Sequence, residues 1–345
     1  MKIGLIARCE EARGLAIQSR NFYDHMPVER VLLVRMPRAD CIERPEWYPG
    51  SWPIQYDGIN HQLNENLVRQ WLDGLDVVFT AETPYDWRLP NWAREMGVKT
   101  IIQGNPEFYR HNQPQWSWQA HPDEWWWPTS WRLQHLPKGR VMPVPMPERP
   151  DVASHDADGP LRILHVMGKR AFEDRNGTQL LADALRCVTR DVIVTMHGID
   201  GELPNYQTPP NVERVLVPDS IEDRWAMYEN QHLLFLPRRY GGLCLPALEA
   251  AACGLAVVMP MWPPNDELCT SLRMAVTRTK YVDLACGSVE AVDNDHMDVG
   301  EFINTSLADP SARQLILRSQ RHARESVPLW GVWRDRYLKA MEDLL

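Results

Sequence analysis

The stretch RRYGGLCLPALEAAACGLAVV, which begins at Arg238, combines residue types that can hold a phosphorylated ligand. Gly241 and Gly242 allow the backbone to approach a ligand closely and to adopt unusual dihedral angles. Pro246 suits the first turn of a helix, and Glu249 is expected within the first turns of that helix. A carboxylate there can accept two hydrogen bonds from a ribose diol, while the glycine loop and the helix N-terminus can face phosphate. The alternative is that the stretch only packs a strand against a helix of small residues.

Basic residues follow an earlier apolar run in the same way. Lys169 and Arg170 come directly after the run LRILHVMG, and Arg175 precedes an Asn-Gly pair that opens a predicted helix. Lysine and arginine donors beside a helix N-terminus suit a diphosphate. The alternative is a solvated loop in which Asp174 pairs with Arg175.

Two polar residues mark predicted strand ends in the first half of the chain. Glu82 and Asn105 each follow an apolar run, and the two runs are expected to be neighbouring strands. We therefore treat them as candidate catalytic residues, with a helix cap or a turn as the alternative. Tryptophans cluster in QWSWQAHPDEWWWPTSW (residues 115–131), where they can stack sugars or bases or simply pack.

Strands and helices alternate along the chain, which indicates βαβ units and parallel sheets. In the first half the predicted strands are residues 2–7, 30–36, 75–82 and 98–105, and the predicted helices are residues 13–26, 63–74 and 88–97. In the second half the predicted strands are residues 161–168, 191–198, 212–218, 232–237 and 255–260, and the predicted helices are residues 176–188, 221–231 and 246–254. Residues 311–326 and 333–345 read as two amphipathic helices.

A segment rich in Pro, Asp and Gly at residues 140–160 separates the two series, as a linker would. We expect a first domain at residues 1–145, a linker at 146–160, a second domain at 161–325, and a final helix at 326–345. The fold class is α/β, with two Rossmann-like doubly wound domains facing across a cleft.

Several classes of protein are disfavoured. The net charge of −9 argues against a protein that coats nucleic acid. The loops after the first strand of each half lack the GxGxxG fingerprint of a dinucleotide enzyme. The acidic run DNDHMD (residues 293–298) reads as a solvated loop, so no metal site is expected. No apolar run is long enough to span a membrane, and the seven scattered cysteines suit a reducing cytoplasm.

The stretch from Tyr240 to Val258, YGGLCLPALEAAACGLAVV, resembles the donor-site signature of retaining glycosyltransferases of family 4, which have the GT-B fold. The segment GKRAFEDRNGTQLLADAL resembles the basic segment that precedes a helix in the same family. The resemblance covers residues 161–265 well and the first half mainly in layout. The local sequence of that first half resembles the short members of the family that are found in phage and actinobacterial genomes.

The resemblance implies a transfer of a sugar from a nucleotide diphosphate donor to an acceptor hydroxyl, with retention of configuration and without a metal or other cofactor. A UDP or GDP sugar is the expected donor, and the cytoplasm, that of the host if the chain is phage-encoded, is the expected location. The first domain would be the acceptor side, the second would bind the nucleotide sugar, and the final helix would pack back on the first domain. Glu82 and Asn105 would contact the acceptor or the sugar. Glu249 would bind the ribose, and Lys169, Arg170 and Arg175 would bind the diphosphate. Backbone around the remaining donor-site positions would contact phosphate or sugar; these are Gly14, Gly241, Gly242, Leu245 and Pro246.

Two departures from the family bear on activity. Many members have a histidine at the end of the strand that matches residues 98–105, and here this strand ends in Gln103, Gly104 and Asn105. The signature has a glutamate eight residues before the one that matches Glu249, and Gly241 stands there instead. This motivates a second hypothesis, a catalytically degenerate protein that binds a nucleotide sugar or a glycan. A sugar-nucleotide epimerase is a further alternative. The acceptor stays open between a glycan, a protein and modified DNA.

Overall fold

The computed structural model describes residues 1–10, 14–36, 42–108, 121–135, 138–167, 174–198, 207–218, 223–284 and 287–345. Its strands are β1 (Ile3–Ala7), β2 (Val28–Arg35), β3 (Trp52–Gln55), β4 (Val77–Ala81), β5 (Lys99–Gln103), β6 (Glu124–Trp127), β7 (Gly139–Val141), β8 (Leu161–Val166), β9 (Val192–Gly198), β10 (Val212–Pro218), β11 (Leu233–Phe235), β12 (Ala256–Pro260), β13 (Leu272–Met274), β14 (Thr279–Leu284) and β15 (Gly287–Val292). Its α-helices are α1 (Gly14–His25), α2 (Glu65–Leu72), α3 (Leu89–Glu95), α4 (Thr178–Ala184), α5 (Leu245–Ala252), α6 (His296–Phe302), α7 (Arg313–Ser326) and α8 (Trp330–Glu342).

The first sheet has the strand order β3-β2-β1-β4-β5-β6-β7, and its neighbouring strands are parallel. The order reverses between β1 and β4, which is the arrangement of a doubly wound sheet. Both faces of such a sheet are covered, so its strands are continuous apolar runs such as VVFTA in β4, where every residue is buried.

Alternate residues of β1 supply the two cores of this sheet. Ile3 and Leu5 face one core together with α1 and α8, and Ile6 faces the other core together with α2 and α3. Helix α2 begins at a side-chain cap. Its Asn64 side chain accepts a hydrogen bond from the backbone N–H of Leu67 at 3.3 Å and so caps the first turn.

The second sheet has the order β10-β9-β8-β11-β12-β13, again with parallel neighbours. Its order reverses between β8 and β11. A separate antiparallel pair, β14 with β15, follows this sheet in the chain. An α/β fold with two parallel Rossmann-like sheets, as the sequence predicts, is confirmed.

Some elements differ from those expected from the sequence. The segment RPEWYPGSWP (residues 44–53), which is rich in Pro and Trp, leads into the short strand β3, and the Trp cluster contains β6. The predicted helix at residues 221–231 is a 3-10 turn over Arg224–Tyr228. The acidic run DNDHMD is not a loop throughout, because Asp295 accepts a hydrogen bond from the Met297 N–H at 2.9 Å and caps α6.

The chain divides into two units. The first contains Met1–Pro145 and Trp330–Leu345, and the second contains Met146–Leu329. Helix α8 therefore belongs to the first unit, where the buried side chains of Trp330 and Tyr337 join the core that β1 and α1 form.

Candidate functional site

The reversal of strand order between β8 and β11 marks the place in the second unit where a ligand is expected, because the carboxyl ends of both strands open there. Two segments of described chain continue from these ends. The first leads through Arg175 into α4, and the second runs from Leu236 to Cys244 and into α5. Lys169 and Arg170 lie outside the described residues.

Arg175 is placed beside the loop that follows β11. Its backbone carbonyl accepts a hydrogen bond from the Arg239 N–H at 2.8 Å. A Cβ built on Gly241 would lie 3.4 Å from the Arg175 Cδ. The structure thus brings together two candidates that are far apart in the sequence.

The N-terminus of α4 does not offer its amides to a ligand as the sequence suggested. The Asp174 carboxylate accepts hydrogen bonds from the N–H groups of Gln179 and Leu180, at 3.1 and 3.3 Å. Gly177, with φ of +73°, packs so closely on the Pro237 carbonyl that a Cβ would lie 2.3 Å from its oxygen. The side chain of Arg175, rather than helix α4, is what this segment can present to a phosphate.

A buried histidine connects β8 and β11 to α4, and nothing in the sequence pattern indicates this role. His165 in β8 lies 2.9 Å from the Phe235 carbonyl of β11 through Nδ1 and 2.9 Å from the Thr178 hydroxyl through Nε2. A carbonyl can only accept, so Nδ1 carries the proton and Nε2 accepts from Thr178. Burial lowers the pKa of His165 to about 4, so this neutral form persists at physiological pH.

We expect the second unit to lose stability as the pH falls from about 6.5 to about 4. In that window the unfolded chain protonates His165 while the folded chain does not, which costs up to about 1.4 kcal/mol per pH unit. Urea unfolding at a series of pH values measures this slope. His165→Gln, which can keep both hydrogen bonds but does not titrate, should reduce this slope, whereas His322→Gln at an exposed position should not. Part of the slope should remain, because burial also lowers the pKa of His232 to about 4. An unchanged slope in His165→Gln would show that other groups cause the acid sensitivity.

Gly241 occupies the position where the family signature has a glutamate, and the structure accounts for the glycine. Its φ is +125°, and a Cβ there would lie 2.4 Å from Nη2 of Arg238. Arg238 is 1% exposed, and its guanidinium donates to the Leu243 carbonyl at 2.9 Å and to Oδ1 of Asn265 at 3.3 Å. The room that a side chain at position 241 would need is therefore filled by an arginine.

The rest of the loop leads into α5. Gly242 is buried, Leu245 is the first helical residue, and Pro246 is the second. Cys244 stands at the N-cap position without a side-chain hydrogen bond to the first turn. The N-cap residue of α5 therefore does not satisfy the first backbone N–H groups of this helix.

Glu249 lies on α5 and is only 2% exposed. Its Oε2 accepts a hydrogen bond from the Tyr228 hydroxyl at 2.7 Å, and its Oε1 forms an ion pair with Arg224. Both partners come from the 3-10 turn Arg224–Tyr228. Neither was a candidate in the sequence, since nothing in the spacing between this turn and α5 predicts the contact.

The loop after β11 is also fixed to the β14–β15 pair. The Arg239 guanidinium donates to the Val292 carbonyl at 3.1 Å and contacts Asp293 at 3.4 Å. Asp293 also pairs with Arg278 and Lys280. The first aspartate of DNDHMD is thus engaged by cations, and within the described residues no group of three or more His, Cys, Asp or Glu side chains is arranged to hold a metal ion.

The first unit brings together the two polar strand ends. The Asn105 amide donates to Oε2 of Glu82 at 2.9 Å, because β4 and β5 are parallel neighbours whose carboxyl ends meet at one edge. Glu82 has φ of +65°, a conformation that costs energy in a residue other than glycine. Gly14 is the first residue of α1, which follows β1.

The tryptophan cluster consists of three buried residues in β6, the half-buried Trp131, and two residues outside the described part of the chain. Trp125, Trp126 and Trp127 form most of β6 and are at most 1% exposed, so they pack and do not stack on a ligand. The tryptophans at residues 115–118 lie outside the described residues.

Residues 162–273 match the model of the family Glycosyl transferases group 1. The matched stretch runs from β8 into β13, so it contains Arg175, the loop after β11, and Glu249. Glu82 and Asn105 lie outside it.

Solved structures share the fold across nearly the whole chain. HepE of Anabaena, solved with UDP and glucose, is similar with a TM-score of 0.66 at 10% identity, covering 99% of this chain and 100% of that one. Sucrose-phosphate synthase of Thermosynechococcus elongatus gives 0.64 at 14% identity, covering 100% and 99%. A glycosyltransferase of Rickettsia africae gives 0.66 at 10% identity, covering 100% and 98%. The fold is therefore that of the GT-B glycosyltransferases.

No curated protein matches the chain in sequence at a significant level. None of the helices in the described parts of the chain has the length and apolar character that crossing a bilayer requires.

Proposed function

We propose that this protein transfers a sugar from a nucleotide diphosphate donor to an acceptor hydroxyl. One observation carries the proposal: the stretch that matches Glycosyl transferases group 1 contains the strand reversal, Arg175 beside the glycine loop, and Glu249 on the helix that follows this loop. The similarity to HepE, which has been solved with UDP and with UDP-glucose, supports a nucleotide sugar as the donor.

In this proposal the second unit binds the donor. The carboxylate of Glu249 accepts hydrogen bonds from the ribose diol. Arg175 stabilises the diphosphate together with Lys169 and Arg170, and the backbone from Gly242 into α5 contacts phosphate or sugar. A UDP or GDP sugar is the proposed donor.

In this proposal the first unit binds the acceptor. The bond from the sugar C1 to the phosphate oxygen breaks, a bond from C1 to the acceptor oxygen forms, and the acceptor proton leaves with the diphosphate. Attack on the same face of the sugar retains the configuration. Glu82 and Asn105 are the proposed contacts for the acceptor or the sugar, and Gly14 lets the backbone approach the diphosphate. The proposed location is the cytoplasm, that of the host if the chain is phage-encoded.

Replacing Arg175 with methionine is expected to lower kcat by about a hundred- to a thousandfold, because negative charge develops on the leaving phosphate and one cation that stabilises it is lost. The measurement is release of nucleoside diphosphate from a panel of UDP and GDP sugars, with glycan and protein acceptors. Arg186→Met, at an exposed position of the same unit, is the matched control. An unchanged kcat in Arg175→Met would remove this residue from the proposed donor site.

Transfer is expected to continue in the presence of a chelator. We propose that the basic side chains, and not a divalent cation, stabilise the leaving diphosphate, so EDTA should change the rate by less than about twofold. The same release assay with and without EDTA measures this. A rate that collapses in EDTA and returns with added Mg²⁺ or Mn²⁺ would refute this part of the proposal.

One observation favours a second candidate function. Gly241 stands at the position of the family glutamate, and Arg238 fills the space that a side chain there would need. The protein therefore has no carboxylate at this position. A protein that binds the nucleotide sugar but does not transfer it fits this change. Saturable binding of a donor without release of nucleoside diphosphate, across the same panel of acceptors, would favour this candidate.

A further inference from the structure

The carboxylate of Glu249 is enclosed by two side chains of one short turn. Tyr228 is fully buried and donates its hydroxyl proton to Oε2, and Arg224 pairs with Oε1. A carboxylate has about four lone-pair positions, so two acceptor positions are left on Glu249 after these contacts. A ribose diol needs two.

The positive charge of Arg224 compensates for the burial of the Glu249 carboxylate. A carboxylate that is 2% exposed is costly to keep ionised unless a cation and hydrogen bonds accompany it. Burial lowers the pKa of Arg224 to about 10, which still leaves the guanidinium charged at neutral pH. Burial also raises the pKa of Tyr228, so its hydroxyl keeps the proton that it donates.

The turn that carries both side chains is itself fixed. The Asp223 carboxylate accepts a hydrogen bond from the Trp225 N–H at 3.0 Å and caps the turn. The guanidinium of Arg224 lies 5.0 Å from the centre of the Trp225 ring, and that of Arg149 lies 4.5 Å from it. Arg224 is therefore held by the ring as well as by the carboxylate.

We propose that Arg224 and Tyr228 are positioning residues that keep Glu249 ionised and oriented so that its remaining acceptor positions bind the 2′- and 3′-hydroxyls of a nucleotide. The proposal rests on the proposed function, because it assumes that a ribonucleotide occupies the second unit. Neither side chain is required to touch the ligand. Their effect should therefore appear in how the protein distinguishes a ribose from a deoxyribose.

The experiment measures the affinity of the full chain for UDP and for 2′-deoxy-UDP by titration calorimetry, and for GDP and 2′-deoxy-GDP in parallel. The variants are Arg224→Met, which removes the charge, Arg224→Lys, which keeps it, and Tyr228→Phe, which removes one hydroxyl. Arg186→Met and Tyr281→Phe, both at exposed positions of the same unit, are the matched controls. Melting temperatures show which variants fold.

The expected result is a preference of the unmodified protein for the ribonucleotide of about tenfold or more. The preference should fall toward one in Arg224→Met, recover in part in Arg224→Lys, and fall about threefold in Tyr228→Phe. If Arg224→Met does not fold, the other two variants decide.

Two results would overturn the inference and leave the proposed function standing. One is an equal loss of affinity for both nucleotides in the variants, which would mark a merely structural role. The other is an unmodified protein that binds UDP or GDP without preferring the ribose form. Failure to bind any of the four nucleotides would instead contradict the proposed function, and the inference with it.

Discussion

Replacing Glu249 with glutamine is expected to weaken the binding of a nucleoside diphosphate by about ten- to a hundredfold. Hydrogen bonds to a charged group contribute about 1.5–3 kcal/mol, and the amide that replaces the carboxylate has one acceptor oxygen in place of two. The amide also leaves the Arg224 cation without its counter-ion. Equilibrium titration with UDP and GDP measures the loss.

The control for this prediction comes from the same part of the chain. Glu229→Gln changes an exposed carboxylate directly after the 3-10 turn and should leave the affinity unchanged. The melting temperature of Glu249→Gln must be recorded beside the affinity, since an unpaired buried arginine lowers stability. Equal affinities in Glu249→Gln and the unmodified protein would exclude Glu249 from the ligand site.

Gly241→Ala is expected to destabilise the protein, and Gly241→Glu, which restores the family residue, should do so further without restoring a donor contact. A residue with a side chain at φ of +125° costs about 1–3 kcal/mol, and its Cβ would overlap Nη2 of Arg238. At roughly 2–4 °C per kcal/mol, the melting temperature should fall by several degrees. Differential scanning calorimetry measures the change.

Two comparisons separate the causes of that loss. Gly159→Ala introduces a side chain at φ of +79° where no atom lies within 4 Å, so it reports the backbone cost alone. The double variant Gly241→Ala with Arg238→Ala should lose less than the sum of the single variants, because the overlap is gone. Strict additivity, or a Gly241→Ala protein as stable as Gly159→Ala, would show that Arg238 does not fill this space.

The sequence predicts those parts of the fold in which a residue pattern is typical of a single structure. Apolar runs such as KIGLIA and VVFTA predict buried parallel strands, and the order of strands and helices predicts the doubly wound sheets. The parallel arrangement also explains why Glu82 and Asn105 meet, because neighbouring parallel strands end at the same edge. The glycines and Glu249 stand out because their spacing relates them to one loop and one helix.

The sequence does not predict contacts between segments that are far apart in the chain, because no residue spacing connects them. Strand β6 was missed because EWWW is buried on both faces and shows no alternation of apolar and polar residues. Arg224 and Tyr228 reach Glu249 only because their 3-10 turn and α5 are brought together in the folded unit. The protonation of His165 depends on a carbonyl 70 residues away in the chain.

The most direct test for a nucleotide donor in the second unit is the melting temperature of the protein with UDP, GDP, ADP and dTDP, each at saturating concentration. A ligand that binds only the folded state at a hundred times its Kd adds about 2.7 kcal/mol of stability, which raises the melting temperature by several degrees. We expect a clear rise with one of these nucleotides. At the same concentration about half of this rise or more is lost in Glu249→Gln, and all of it is kept in Glu229→Gln. No rise with any of the four would contradict the claim that the second unit holds a nucleotide donor.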